Sequence, residues 1–173
     1  ACASVVGDQL AGIVVGRDAF DVAGAFHEMV AAVRNAGRPG IAGYAISAVD
    51  TALWDLKARL LGLPLHRLLG AVHHEVPLYG SGGFTTYDSA RLREQLSAWT
   101  DAGMPRVKIK IGESSGTRVE RDLARIEEAR AVIGPDVELF VDANGAYGRK
   151  QAVRVMEAAG RCDVRWFEEP VSS

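Results

Sequence analysis

One pattern limits what this chain can fold into. A short apolar run ending in charge recurs about every thirty residues, with a helix-like stretch between repeats. Arg106-Val107-Lys108-Ile109-Lys110-Ile111-Gly112 is one such run. Leu139-Phe140-Val141-Asp142-Ala143-Asn144-Gly145 and Val164-Arg165-Trp166-Phe167-Glu168-Glu169-Pro170 follow. An earlier extended stretch, Val76-Pro77-Leu78-Tyr79, is broken by Gly80-Ser81-Gly82-Gly83. Strands starting near 76, 106, 137 and 163, each followed by a helical pattern, predict a parallel α/β barrel, because parallel strands need crossovers. A closed barrel has eight such units over about 250 residues. Only about three and a half are present in 173 residues, so the expectation is a partial polypeptide.

The residues before this pattern read as helical. Phe20, Ala23, Phe26, Val30 and Val33 recur at three- and four-residue steps, with Asp18 as the expected N-cap. A stronger helix runs from Ala42 to about Leu61, with Ala45, Val49, Ala52, Leu53, Leu56 and Leu60 as its apolar stripe. Gly62 and Pro64 end it. A short turn, Leu65 to Leu69, precedes Gly70. The character changes between Ala71 and Glu75, which gives a helical portion at 1–72 and a barrel portion at 73–173.

The chemistry lies at the strand ends, where barrels of this kind build their sites. Lys108 and Lys110 are two apart, so both side chains share one face of a strand. Val107, Ile109 and Ile111 between them mark the opposite face as buried. Two ammonium groups side by side disfavour each other's charge, so one of the pair is expected to have a lowered pKa and to act as a base. Taken singly, such lysines are more often solvated. Asp142, with Asn144 two residues on, could equally close a strand in an Asx turn, and Glu168 before Pro170 could be a loop carboxylate. Consecutive strand ends share one rim, however, so lysine, aspartate and glutamate would converge. Carboxylates without imidazole or thiolate suit a hard cation, Mg²⁺ before Mn²⁺.

With these residues in view, the sequence resembles the mandelate racemase and muconate lactonizing enzyme group of the enolase superfamily. Ala45-Ile46-Ser47-Ala48-Val49-Asp50-Thr51-Ala52-Leu53-Trp54-Asp55-Leu56-Lys57-Ala58 looks like that group's capping-domain helix. Lys108-x-Lys110, Asp142-x-Asn144 and Glu168-Glu169-Pro170 arrive in the family's order. The resemblance implies the helical part of an enolase-type capping domain followed by the first half of a (β/α) barrel. It implies a Mg²⁺-dependent isomerase or lyase that takes the proton next to a substrate carboxylate through an enediolate. Lys110 would be the base, helped by Lys108, with Asp142 and Glu168 as metal ligands. Asn144, Glu169 and Ser81 would touch substrate or support the ligands. The small antiparallel sheet that opens the family's capping domain has no counterpart here. A third ligand and a second acid/base would lie beyond Ser173. The reading leans toward racemase or sugar-acid dehydratase. The alternatives are a lactonizing or dipeptide-epimerase type with a second lysine, and, from another class, an inactive fragment or associating half barrel.

Composition excludes other classes. The net charge is −2, with 48% hydrophobic and 24% charged residues, so nothing favours nucleic acid or an anionic membrane. No apolar run approaches the roughly 20 residues that span a bilayer. Cys2 and Cys162 form no CxxC pair, and Ala1-Cys2-Ala3-Ser4 follows no basic region, so the expectation is a reduced, cytoplasmic protein. The expected partners are a small carboxylate substrate and, when complete, further copies in a homo-oligomer. Gly80-Ser81-Gly82-Gly83 lacks the lysine of a phosphate loop. His73 and His74 have no third ligand nearby. Tyr147 is expected at the rim or capping the next helix.

Overall fold

A computed structural model describes residues 1–172. It separates into two compact units, with the division after Glu75.

The first unit is helical. It opens with a helical stretch: α1 (Cys2–Val5), a π segment (Val6–Leu10) and α2 (Ala11–Val14). Then come α3 (Val22–Ala32), α4 (Ile41–Leu60) and α5 (Leu65–Leu69). Its core is Leu10, Met29, Val33, Ala42, Ala45 and Ile46. Two expectations are corrected here. Asp21, rather than Asp18, caps α3, its Oδ1 accepting from the Gly24 amide at 3.1 Å. Asp18 instead closes the preceding turn through the Phe20 amide at 2.9 Å. On α4 the fully buried positions are Ala42, Ala45, Ile46 and Ala58, while Leu56 and Leu60 are exposed within this unit. The buried face is thus turned toward small residues, which let α1 and α3 approach it closely.

The second unit is a four-stranded parallel sheet in the order β1 (Gly80–Gly82), β2 (Arg106–Lys110), β3 (Glu138–Asp142) and β4 (Val164–Glu168). Helices α6 (Ser89–Asp101), α8 (Val119–Ile133) and α9 (Arg149–Ala159) connect the strands, and a short turn, α7 (Glu113–Gly116), follows β2. Asp88 caps α6, its Oδ1 accepting from the Arg91 amide at 2.8 Å. Val107, Ile109, Leu139 and Val141 are completely buried against Leu92, Leu96, Ile126 and Ala129 of the helices. Alternate residues therefore point to the other, concave face.

The first strand is not where the hydrophobic run suggests. Val76, Leu78 and Tyr79 are exposed and unpaired in the ladder, whereas Gly80–Gly82 pairs with Val107, Lys108 and Ile109. Close packing explains the shift. A Cβ on Gly80 would stand 2.5 Å from the Trp99 ring, and one on Gly82 would stand 2.5 Å from Gln95 Oε1. Glycine is what lets this strand lie under α6.

Candidate active site

Register assembles the site. Lys110 is aligned with Asp142, and Asp142 with Glu168. One layer deeper, Ser81 aligns with Lys108, Lys108 with Phe140, and Phe140 with Trp166. Three strand ends thus bring two lysines and two carboxylates to one corner of the concave face.

The contacts are ionic. Lys110 Nζ donates to Asp142 Oδ2. Lys108 Nζ donates to Glu168 Oε2 at 2.6 Å and to Tyr79 Oη at 3.2 Å, and stands 3.7 Å from Asp142 Oδ2. Lys108 is only 5% exposed and Asp142 1%, so each needs a partner charge to be tolerated. Asp142 Oδ1 accepts from the Asn144 amide at 2.8 Å. Asn144 itself adopts a left-handed backbone, φ 47°, which asparagine accepts more readily than most residues. The strand therefore ends in an Asx turn and also presents its carboxylate to the cluster.

Charge pairing sets the state of Lys108 and Asp142. Burial pulls the Lys108 pKa down, but the hydrogen bonds to Glu168 and Tyr79 outweigh it and hold the ammonium above its usual value. Lys110 faces a carboxylate as well, that of Asp142. Burial likewise pushes Asp142 up, but the bonds from Lys110 and the Asn144 amide, with the Lys108 charge, hold it below the usual carboxylate range.

The remaining expected residues lie around this corner. Ser81 is exposed and aligned beside Lys108 on the concave face. Glu169 is exposed, with φ 40°, and its carbonyl accepts from the Gly145 amide at 2.8 Å. Two cavities adjoin the cluster. One, of about 500 Å³, lies along the concave face between Tyr79, Phe140, Trp166 and Glu168. The other, of about 550 Å³, lies on the rim beside Thr85, Lys110, Ser115 and Asn144.

The donor set fits a hard cation: Asp142 and Glu168 offer carboxylate oxygens on adjacent strands, with no sulfur or imidazole among them. No three His, Cys, Asp or Glu side chains converge among the described residues, so this chain brings two such groups to the cluster.

Sequence reasoning missed Tyr79, which partners Lys108 from just before the glycine strand. Tyr147, expected at the rim or capping the next helix, is instead buried and donates to Asp122 at 2.6 Å, while Gly148 is the N-cap of α9. A signal was present. Asp122 and Arg125 fall in phase with Ile126, Ala129 and Ile133 on the buried stripe of α8, and charges in such a stripe need partners.

Four parallel strands in sequential order, joined by helices and with charged groups gathered at their carboxyl ends, are consistent with part of a (β/α) barrel. Residues 1–70 match the mandelate racemase / muconate lactonizing enzyme N-terminal domain, and residues 91–173 match the enolase C-terminal domain-like family. The chain belongs to the mandelate racemase and muconate lactonizing enzyme group of the enolase superfamily. A mandelate racemase/muconate lactonizing enzyme-like protein from Rubrobacter xylanophilus is 53% identical, with TM-score 0.88 over 99% of this chain and 47% of that one. A racemase from Streptomyces coelicolor A3(2) with bound magnesium is 33% identical, with TM-score 0.84 over 99% and 47%. Among curated relatives, arabinonate dehydratase of Saccharolobus solfataricus is 34% identical over 84% of this chain and 39% of its own length. The 3,6-anhydro-alpha-L-galactonate cycloisomerase of Streptomyces coelicolor is 34% identical over 98% and 46%. The chain thus spans less than half the length of these relatives.

Proposed function

We propose that these residues supply one half of an active site that removes the proton next to a carboxylate, and that the 173-residue chain alone is an associating half barrel without turnover. The observation that carries this reading is the aligned trio Lys110, Asp142 and Glu168 on adjacent strand ends. Among the described residues the outer edge of β4 has no strand partner in the sheet, and Trp166 of that strand is 57% exposed. An open edge with a bare aromatic favours association.

In the completed site Lys110 takes the α-proton onto Nζ as the free amine, and the bonding electrons pass into the substrate carboxylate as an enediolate. Lys108 stays protonated, as its bonds to Glu168 and Tyr79 favour, and supplies fixed positive charge beside the reacting carboxylate. Asp142 and Glu168 would hold Mg²⁺, or Mn²⁺, which when bound stabilises charge developing on the substrate carboxylate. Asn144 fixes the Asp142 carboxylate through its amide. Ser81 and Glu169 would meet substrate or support the ligands.

The relatives' names include a racemase, a dehydratase and a cycloisomerase. They support the shared first step. These names do not separate a racemase or dehydratase type from a lactonizing or dipeptide-epimerase type with a second lysine, and the two part at the group facing Lys110 from the opposite rim. The substrate class is a small carboxylate, and the working form is a homo-oligomer. No helix among the described residues is long and apolar enough to cross a membrane.

Titration calorimetry with Mg²⁺ tests the ligand assignment. The completed barrel binds Mg²⁺, and Asp142→Asn weakens binding at least about tenfold, as expected for loss of a ligand or its support. Equal affinity in both would remove Asp142 from the site.

A further inference from the structure

Helix α8 lies on the outer side of the sheet, yet one of its turns holds charges away from water. Asp122 is completely buried and Arg125 is 4% exposed. They are three residues apart, so they share one face of the helix. Their hydrogen bonds run to the loops that follow β1, β2 and β3. Asp122 Oδ1 accepts from the Glu113 amide at 3.2 Å, in the loop after β2. Asp122 Oδ2 accepts from Tyr147 Oη at 2.6 Å, in the loop after β3. Arg125 donates to the carbonyls of Gly83, Phe84 and Tyr87 at 2.7, 2.8 and 3.0 Å, in the loop after β1. The same Gly83 carbonyl accepts from the Lys110 amide at 3.1 Å, so Arg125 is one shared oxygen away from the backbone of the candidate base.

The β2 and β3 loops are also pressed together. A Cβ on Gly112 would stand 2.6 Å from Ala146 Cβ, and one on Gly116 would stand 2.7 Å from the Ala146 carbonyl oxygen. Gln151 Nε2 closes the gap by donating to the Gly116 carbonyl at 2.6 Å. Apolar residues of similar volume would hold a helix on a sheet as well as buried charges do, often better. What the charged turn adds is direction: each bond fixes one loop at one point.

We propose that Asp122, Arg125 and Tyr147 form a positioning clamp that sets Lys110 of β2 against Asp142 of β3 by fixing the loops after three strands. The proposal rests on the reading of Lys110 and Asp142 as site residues. These three are positioning residues, since none of them lies in the charged cluster.

The test uses metal-free chain in whatever associated state it adopts, with ¹³C-labelled lysine and amide hydrogen exchange. Tyr147→Phe keeps the ring packing and deletes one bond. Arg125→Lys keeps the charge and loses the fork. Ile133→Val, near the far end of α8, is the control for plain destabilisation. The clamp predicts that both clamp variants shift the Lys110 ε-methylene resonance. It also predicts exchange about tenfold faster at Glu113 and Gly116 for Tyr147→Phe, and faster exchange at the Lys110 amide for Arg125→Lys. Ile109 and Val141 amides should keep their protection, and Ile133→Val should leave Lys110 unmoved. An unchanged Lys110 resonance, or exchange raised evenly across the sheet, overturns the clamp. Adding Mg²⁺ to the parent tests the site reading separately: no effect on the Lys110 resonance in the completed barrel counts against that reading, while the metal-free comparison still decides the clamp.

Discussion

Lys108 and Tyr147 show how burial acts differently on different groups. Lys108 is buried but bonded to a carboxylate and a phenol, and stays a strong cation. Tyr147 is buried against the Asp122 carboxylate, and both burial and that bond push its hydroxyl well above the usual tyrosine value. The sign of the consequence follows. The folded protein keeps the Tyr147 proton at pH values where the unfolded chain, with a pKa of about 10, releases it. The stability contributed by the neutral hydroxyl is therefore full below about pH 10 and is lost as pH rises above it. Chemical denaturation at pH 9 and pH 11 should show the parent losing up to about 1.4 kcal/mol more than Tyr147→Phe over that range. An equal loss in both proteins would mean that Tyr147 titrates normally in the fold.

At the scale of elements, strands β2, β3 and β4 were legible because a period of two puts apolar residues on one face and charges on the other. Val107 and Ile109 are buried outward, while Lys108 and Lys110 face inward. Asp142 and Glu168 were legible for the same reason, as the last residues of their runs. Strand β1 was not legible, because its constraint is a neighbour far along the chain. Gly80 is glycine on account of Trp99, and no local pattern announces that. Gly80→Ala should therefore destabilise the unit by about 1–3 kcal/mol through overpacking, and Trp99→Leu should recover part of the loss. Thermal unfolding of the two single variants and the double variant measures this, and strict additivity would contradict the contact. The α3 cap escaped for a related reason. Asp18 and Asp21 both suit a helix start, and the Arg17 bonds to Asp21 at 2.6 and 3.0 Å sit at the later one.

For the whole molecule, the open β4 edge and the concave face set behaviour. Tyr79 and Phe140 meet edge to face at 5.7 Å, and Trp166, on β4, is exposed with no further strand beside it among the described residues. Sedimentation of the isolated 173-residue chain should show dimers or larger species rather than a stable monomer, and a compact, cooperatively unfolding monomer would contradict the associating half barrel. The central claim, that Lys110 takes a proton next to a carboxylate in a site this chain only half supplies, has a more direct test. Solvent deuterium incorporation at that carbon can be followed by NMR across a panel of small carboxylic acids that carry an α-proton. The account predicts incorporation by the completed barrel, a drop of about a hundredfold or more on Lys110→Ala, and none by the 173-residue chain alone. Incorporation at the parent rate by the Lys110→Ala barrel, or turnover by the isolated chain as a monomer, would contradict it.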